Sequence, residues 1–395
     1  MISEKIKLLS DRMSEAVETH ETAGVSLLFQ KQDEEPVFLS KGLADLKTGR
    51  PMSRDTIFSM YSQTKPVTSA AAMLLLQDGR IDLYEPVASY IPSFENQKIC
   101  TDRDPIPAGR PVTIRDLLNM TSGLVYPGPH SQAETETGEV YDELIRRLDT
   151  DHPMTTQEFA SRIGECPLQF EPGSGWKYGT SADILGAVIE KVSDMPLDEF
   201  MKTRLFLPLG MYDTDFRVPE EKRGRFATAC QVSGNTLPGQ KPELTVYTQN
   251  HLGIRRDGKQ NAFLSGGAGL FSTLDDYLRF AKMLRSGGKS ADGETILREG
   301  TVRFMTSRQL TPVQQTYFNR WVGLDGHSYG NLMRVLQDEK QAGIIGDAGE
   351  YGWDGWLGTY FANDPKRDAT LLLGIQRRDY GTGPLTRKLR NIVFS

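Results

Sequence analysis

One short stretch constrains this chain more than any other, because it is apolar on almost every side of a helix. Residues 67–76 read Val-Thr-Ser-Ala-Ala-Ala-Met-Leu-Leu-Leu, and a helix that is apolar all round is buried rather than laid on a surface. Gly79 follows where the helix should end, since glycine takes the left-handed cap conformation at little cost. Pro66 must lie in or near the first turn, because a proline further inside would break the helix. The chain must therefore fold around an interior helix.

This helix carries a hydroxyl and an amine at its N-terminus. Ser62 and Lys65 are three residues apart, a spacing that places two side chains on one helical face. The positive end of the helix dipole lies at the same place. A Ser-x-x-Lys pair is the arrangement used by acyl-transfer enzymes in which the amine activates the serine. A serine N-cap beside a solvated lysine would have the same spacing, so the pair alone leaves both interpretations open.

Other matches to catalytic motifs lack the surroundings that the chemistry needs. The Ser-x-x-Lys pairs at 174–177 and 286–289 lie among glycines and are interpreted as turns. Residues 326–330, Gly-His-Ser-Tyr-Gly, match a nucleophile elbow, but no histidine follows Ser328 as that fold requires, so we interpret them as a glycine-rich turn. Residues 253–259 have P-loop spacing without the following serine or threonine, which predicts a polar loop.

Composition excludes several classes of function. The net charge of −6 is spread without long blocks of one sign, which argues against a nucleic-acid partner. Three scattered cysteines offer neither a disulfide framework nor paired metal ligands, and the five histidines form no His-Glu-x-x-His pair. We therefore expect no metal and no cofactor.

The chain ends and its hydropathy give an expectation about location. The first seven residues are charged and precede no apolar core, so they do not form a secretory signal. No run approaches the roughly 20 apolar residues that a membrane-spanning helix needs. We expect a cytoplasmic protein without a membrane partner.

Secondary-structure patterns differ between the ends of the chain and its middle. The N-terminal part predicts a helix over 2–20, strands over 25–29 and 36–39, and a short segment at 56–60 before the buried helix. Prolines and glycines then become frequent, with helices beginning at Thr113, a predicted cap paired with Asp116, and at Ser181. The C-terminal part predicts a helix over 272–284, strands over 334–336, 357–362 and 369–376, and a final helix over 385–394.

At 395 residues the chain is long enough for two or three domains. Strands at both ends with helices between them predict one split α/β domain, formed by residues 1–84 and 265–395. Residues 85–264 would form a mainly helical domain with long loops.

Two further stretches are candidates for completing a Ser-Lys site. Tyr178 lies on a glycine-flanked turn before a helix, where its phenol would point into a cleft. A phenol titrates near ~10, so an adjacent ammonium would be needed to reach the phenolate. Residues 352–361 are interpreted as a glycine-punctuated edge strand whose exposed N–H would join that of Ser62 in an oxyanion hole. Packed aromatic residues would explain both stretches equally well.

Taken in this order, the three stretches resemble the serine β-lactamase-like superfamily, and most of all class C β-lactamases, family VIII esterases and the CubicO group. Residues 62–65, Ser-Gln-Thr-Lys, match the first motif of that superfamily, and residues 176–180, Trp-Lys-Tyr-Gly-Thr, match the second. Residues 353–355, Trp-Asp-Gly, stand where penicillin-recognising members have Lys-Thr-Gly. Supporting matches are found at 117–124, 171–173 and 265–270.

The resemblance implies a β-lactamase-like α/β (α+β) fold, with an antiparallel sheet flanked by helices. It implies that Ser62 is the nucleophile and that Lys65 and Tyr178 carry its proton. By analogy, the N–H groups of Ser62 and Trp356 would form the oxyanion hole. The substrate would be bound by residues of the third motif together with one tyrosine: Trp353, Asp354, Gly355 and Tyr126.

The third motif departs from the family pattern in its charge. Trp353 and Asp354 replace the lysine and threonine that bind the β-lactam carboxylate, and Asp354 would repel an anion. We therefore expect a serine hydrolase that cleaves small carboxylic esters through an acyl-enzyme. The sequence leaves open an acyltransferase, a β-lactamase or a D-amino-acid peptidase acting on an amide, and also a non-catalytic ligand-binding relative. It does not set the oligomeric state.

Overall fold

The two ends of the chain build one antiparallel sheet. In the computed structural model, which describes residues 2–234, 240–321 and 323–395, the strands lie in the order β10-β11-β12-β13-β14-β1-β2-β3. These strands are β1 Gly24–Lys31, β2 Val37–Asp45, β3 Arg50–Pro51, β10 His327–Gly330, β11 Met333–Leu336, β12 Tyr351–Asp354, β13 Tyr360–Asp364 and β14 Ala369–Ile375. The predicted antiparallel sheet of a β-lactamase-like fold is thus present.

Among the described residues, three two-stranded ladders lie outside the large sheet. They are β4 Phe58–Ser59 with β9 Phe271–Ser272, β5 Lys98–Ile99 with β6 Ile106–Pro107, and β7 Cys230–Ser233 with β8 Glu243–Val246. The β4–β9 pair joins the segment before Ser62 to the segment that follows the glycine-rich stretch 265–270.

Helices cover both faces of the sheet and fill the middle of the chain. Their bounds are α1 Ile2–Glu18, α2 Lys65–Gln77, α3 Ile114–Asn119, α4 Gln132–Arg147, α5 Thr156–Glu165, α6 Ser181–Ser193, α7 Leu197–Met201, α8 Leu207–Leu209, α9 Leu274–Arg285, α10 Glu299–Met305, α11 Pro312–Phe318, α12 Glu339–Ala342 and α13 Pro384–Phe394. None of these described helices is both long and apolar enough to cross a bilayer.

Alternating side chains give the sheet two apolar faces. On β14, Leu371 and Leu373 pack in the cluster that includes α1 and α13, whereas Leu372 packs in the larger core around α2 and α9. This is the period-two pattern of a strand buried on both sides. The larger core continues from the sheet through α2 into the helical middle of the chain.

Helix α2 is buried on all sides, as its composition predicts. Every residue from Lys65 to Leu75 is buried, and α2 packs against α6 and against the sheet strand β12. Pro66 lies in its first turn, and Gly79 just beyond its end has a φ of +69°. The predicted capping box of Thr113 and Asp116 is also confirmed at the start of α3.

Two local predictions were wrong, both where glycine suggested a turn or an edge. Strand β12, which carries Trp353 and Asp354, lies between β11 and β13 and is therefore not an edge strand. Residues 326–330 are not a turn: all but Gly326 form β10, in which Ser328 is 1% exposed. Pairing with neighbouring strands satisfies the backbone there, and the sequence of a single strand does not reveal its neighbours.

A buried ion pair ties the C-terminal helix to the sheet. Arg390 on α13 contacts Glu350, the residue before β12, and their side chains are 2% and 1% exposed. Arg390 also donates to the carbonyl of Ile345 at 2.7 Å. Removing one partner of such a pair leaves an uncompensated buried charge.

We expect Arg390→Met to lower the free energy of unfolding by about 3–5 kcal/mol, because the Glu350 carboxyl stays buried without its cation. Urea unfolding would measure this. The double variant Arg390→Met/Glu350→Leu should recover most of the loss, since it buries no lone charge. A single variant as stable as the wild type would contradict the prediction.

Candidate active site

The backbone around Ser62 is held in an unusual conformation. Ser62 lies on a short 3₁₀ turn, Tyr61–Thr64, that leads directly into α2. Tyr61 has a φ of +45°, a left-handed conformation that non-glycine side chains rarely adopt. Such strain persists only where the surroundings enforce it, and it is concentrated at functional sites. Ser62 is partly exposed, whereas Tyr61 and Gln63 on either side of it are buried.

Hydrogen bonds from three other segments hold this turn. The Met60 N–H donates to Leu270 O at 2.9 Å, and the Leu270 N–H donates to Thr64 Oγ1 at 3.0 Å. The Tyr277 hydroxyl of α9 donates to the Gln63 carbonyl at 2.8 Å. The Thr359 hydroxyl donates to the Met60 carbonyl at 3.1 Å. These bonds enforce the position from which the Ser62 hydroxyl projects.

Lys65 presents its amine to Ser62 from inside the protein. Its Nζ lies 3.2 Å from Ser62 Oγ, 3.0 Å from the Tyr126 hydroxyl and 2.9 Å from the Gly267 carbonyl. A carbonyl only accepts, so one N–H always points at Gly267. A neutral amine then has a second N–H for Tyr126 and a lone pair for the Ser62 hydroxyl.

Burial makes this amine a base near neutral pH. Lys65 is fully buried, and burial lowers its pKa from 10.5 to about 7, against the opposing charges of Asp183 and Asp354. A lysine that gives up its proton near pH 7 is able to take one from a serine.

Tyr178 approaches the same serine with its phenol protonated. Burial raises its pKa above the ordinary value, and hydrogen bonding with Ser62 and Trp353 acts in the opposite direction. The Trp353 indole N–H donates to the Tyr178 oxygen at 3.0 Å. Because an indole only donates, the phenol keeps its own hydrogen for another acceptor. Lys65 Nζ lies 4.6 Å from the centre of the Tyr178 ring.

The third motif brings a backbone turn against the serine. The Gly355 N–H donates to Thr359 O at 2.8 Å, which closes the turn after β12. A Cβ on Gly355 would lie 2.3 Å from Met60 O and from Thr359 Oγ1, so only glycine allows this approach. Within the part of the chain that the structure describes, neither the Ser62 nor the Trp356 N–H donates in a turn or cap hydrogen bond.

A cavity of about 1160 Å³ opens onto Ser62. Its walls are mainly aromatic, with Tyr126, Tyr178, Trp321 and Trp353 in one group and Tyr61, Tyr247, His251 and Trp356 in the other. The rings of His251 and Trp356 are stacked with centroids 4.0 Å apart. Burial lowers the His251 pKa to about 4, so this imidazole is neutral at pH 7.

Asp354 also lines the cavity, as its position in the third motif suggested. Its carboxylate lies 3.9 Å from the guanidinium of Arg334, whose side chain is buried. Burial raises the Asp354 pKa, and the Arg334 charge opposes that shift. The cavity wall thus has a carboxyl group beside the position that a lysine occupies in penicillin-recognising members of the superfamily.

The structure brings most of the sequence-predicted site residues together. Ser62, Tyr126, Tyr178, Trp353, Asp354 and Trp356 all line the cavity, and Lys65 lies beneath Ser62. Gly355 is not among the lining residues and instead packs against Met60. Trp353 is 2% exposed and contacts Tyr178, so its indole supports the phenol as well as the cavity wall.

Sequence reasoning missed three contributors. These are His251 in the cavity wall, the Gly267 carbonyl that accepts from Lys65, and Asp183 beneath that carbonyl. The glycine-rich stretch 265–270 was the only sequence signal for Gly267. Among the described residues, no group of three or more His, Cys, Asp or Glu side chains is placed to hold a metal.

Comparison with known proteins identifies the family of the chain. The family model described as Beta-lactamase matches residues 9–391, nearly the whole chain. The chain belongs to the β-lactamase family. This membership confirms the resemblance drawn from the three motifs, and it supports serine hydrolase chemistry at the site.

Several known proteins are similar to this chain over most of its length. Protein Rv1367c of Mycobacterium tuberculosis is 32% identical over 351 residues, 85% of this chain and 81% of that protein. Esterase EstB of Burkholderia gladioli is 31% identical over 371 residues, covering 90% and 86%. Among solved structures, EstCE1, titled a hydrolase with promiscuous acyltransferase activity, has a TM-score of 0.82 at 23% identity, covering 100% and 99% of the two chains. At that identity the likeness concerns the fold alone.

The close approach at Gly355 gives a test of the turn. We expect Gly355→Ala to slow phosphonylation of Ser62 by a fluorophosphonate about 10²-fold or more, because the new methyl group would meet the Met60 carbonyl and the Thr359 hydroxyl and displace the backbone that leads into Ser62. Intact-mass spectrometry would follow the adduct. Gly300→Ala is the matched control, since a Cβ there meets nothing within 4 Å. Equal labelling rates for both variants would contradict the proposed role of the turn.

Proposed function

We propose that this protein is a carboxylic ester hydrolase that works through an acyl-enzyme on Ser62. The observation that carries the proposal is the buried amine of Lys65, 3.2 Å from the Ser62 hydroxyl and with a pKa of about 7. An amine of this kind activates a serine at neutral pH. The similarity to a protein named Esterase EstB supports esters as the substrate class.

The geometry supports a role for each group. Lys65 takes the proton as Ser62 Oγ attacks the ester carbonyl, and the N–H groups of Ser62 and Trp356 hold the oxyanion. Collapse of the tetrahedral intermediate breaks the bond between carbon and the alcohol oxygen, which takes a proton from Tyr178. The proton held by Lys65 then passes to Tyr178 and restores its phenol. Water then attacks the acyl-enzyme, and the same proton transfers in reverse release the acid and restore Ser62.

The cavity wall favours a neutral acyl group over a carboxylate. Trp353 offers an indole in place of the ammonium that binds the β-lactam carboxylate elsewhere in the superfamily, and Asp354 lines the cavity beside it. A carboxylate placed there meets a like charge. An uncharged ester does not, so a small-molecule ester is the proposed substrate.

We expect Ser62→Ala to reduce turnover of p-nitrophenyl butyrate by about 10⁴-fold or more, because no nucleophile remains to form the acyl-enzyme. Wild-type kcat/KM for this ester should exceed that for nitrocefin, an anionic β-lactam. Equal ester rates for the wild type and Ser62→Ala would refute the proposal. Faster turnover of nitrocefin would indicate a β-lactamase instead.

The low pKa of Lys65 predicts the pH profile. The amine must be neutral to accept the Ser62 proton, and it is neutral above its pKa of about 7. We therefore expect kcat/KM for p-nitrophenyl butyrate to rise with pH and to level off above about 7, after subtraction of spontaneous hydrolysis. A profile that is flat between pH 5 and 9 would exclude Lys65 as the base.

A further inference from the structure

A second buried charge lies behind the Ser62–Lys65 pair. Asp183, in the first turn of α6, is 1% exposed. Its Oδ1 accepts from the Gly267 N–H at 3.0 Å and from the Ser265 hydroxyl, and the Tyr141 phenol hydrogen-bonds to the same carboxyl. Burial raises the Asp183 pKa, whereas the Lys65 charge and the donors Ser265 and Gly267 act in the opposite direction. Three donors converge on this group, as suits a carboxylate rather than a carboxylic acid.

Two of these donors, Ser265 and Gly267, belong to the turn that serves Lys65. Ser265 Oγ, which donates to Asp183, also accepts from the Ala268 N–H at 2.9 Å. The same turn presents the Gly267 carbonyl to Lys65 Nζ at 2.9 Å. Asp183 is thus connected to the Lys65 amine through one residue, Gly267, whose N–H donates to Asp183 and whose carbonyl accepts from Lys65.

Close packing surrounds this turn on two sides. A Cβ on Gly266 would lie 2.3 Å from the Ala182 carbonyl, and one on Gly267 would lie 2.8 Å from Asp183 Oδ2. The Thr68 hydroxyl of α2 donates to the Gly266 carbonyl at 2.6 Å. The turn is therefore clamped between α2 and α6.

We propose that Asp183 is a positioning residue, whose buried carboxylate holds the Ser265–Gly267 turn and thereby fixes the acceptor that orients the Lys65 amine toward Ser62. This inference rests on the proposed function, because it assigns Asp183 a role in the same reaction. The negative charge of Asp183 also opposes the lowering of the Lys65 pKa by burial.

The effect of the Asp183 charge on the Lys65 pKa is separable from the effects of the neighbouring titratable groups. Burial raises the pKa values of the tyrosines around the pair, so these phenols stay neutral in the working range. The titratable groups that face Lys65 or Asp183 are Tyr126, Tyr141, Tyr178 and Asp354. Only Asp354 among them adds charge near Lys65, and its effect on the Lys65 pKa is smaller than that of Asp183.

The test compares Asp183→Asn with Ser265→Ala in the full chain. Asparagine retains a carbonyl oxygen for Ser265 and Gly267 but removes the charge, so less holds the proton on Lys65. The measurement is the rate of Ser62 labelling by a fluorophosphonate as a function of pH. We expect the acid limb of this profile, where the rate rises as Lys65 loses its proton, to move to lower pH by about one unit. Ser265→Ala keeps the charge but loosens the turn, so the plateau rate should fall about tenfold while the limb stays in place.

Asp276→Asn is the matched control, since Asp276 is another buried carboxyl, on α9, that accepts from Thr214 away from this turn. The acid limb and the plateau of its pH profile of labelling should equal those of the wild type. A limb at the wild-type pH in folded Asp183→Asn would refute the effect of the Asp183 charge on Lys65, and a wild-type plateau in Ser265→Ala would overturn the positioning role. If Asp183→Asn does not fold, Ser265→Ala decides, and a wild-type plateau there overturns the proposal.

The same probe separates this inference from the proposed function. Absence of labelling in the wild type would refute the acyl-enzyme on Ser62 itself. Normal labelling of the wild type, with an Asp183→Asn limb and a Ser265→Ala plateau identical to it, would refute only the role of Asp183.

Discussion

The removal of one lysine amine from water is the interaction on which the site depends. In water, Lys65 would keep its proton to high pH and could not act as a base. Complete burial lowers its pKa to about 7, while contacts with Tyr126 and Gly267 satisfy the amine so that burial is tolerated. The interior helix α2, the glycine-rich turn and the helical middle of the chain all contribute to that enclosure.

Enclosure alone would not place the serine, and here backbone geometry contributes. The left-handed Tyr61 aims Ser62 into the cavity, and its cost is offset by hydrogen bonds from the turn before β13, from α9 and from the β4–β9 ladder. Gly355 lets the turn after β12 reach the same backbone. The site is thus assembled where parts of the chain far apart in sequence meet.

Local patterns in the sequence predicted much of this arrangement. Apolar residues on all sides of residues 67–76 predicted a buried helix, and the Ser62–Lys65 spacing predicted the pair that the structure places 3.2 Å apart. Single-strand patterns failed for β10, which was predicted to be a turn, and for β12, which was predicted to be an edge strand. Whether a short glycine-rich segment pairs, and on how many sides, depends on partners elsewhere in the chain. Asp183 was missed for the same reason: its partners lie about 80 residues further on, in a turn that only the folded core brings near.

The strand order has a consequence for how the protein is made. Strand β1 pairs with β14, so that Val25 lies opposite Ile375 near the middle of the sheet. During synthesis the first hairpin emerges long before the strand that must cover its open side. Until the last part of the chain leaves the ribosome, an apolar strand edge stays available to other nascent chains. Slow translation or the presence of chaperones should therefore alter the yield of native protein. The change should be larger than for a protein whose paired strands follow one another in sequence.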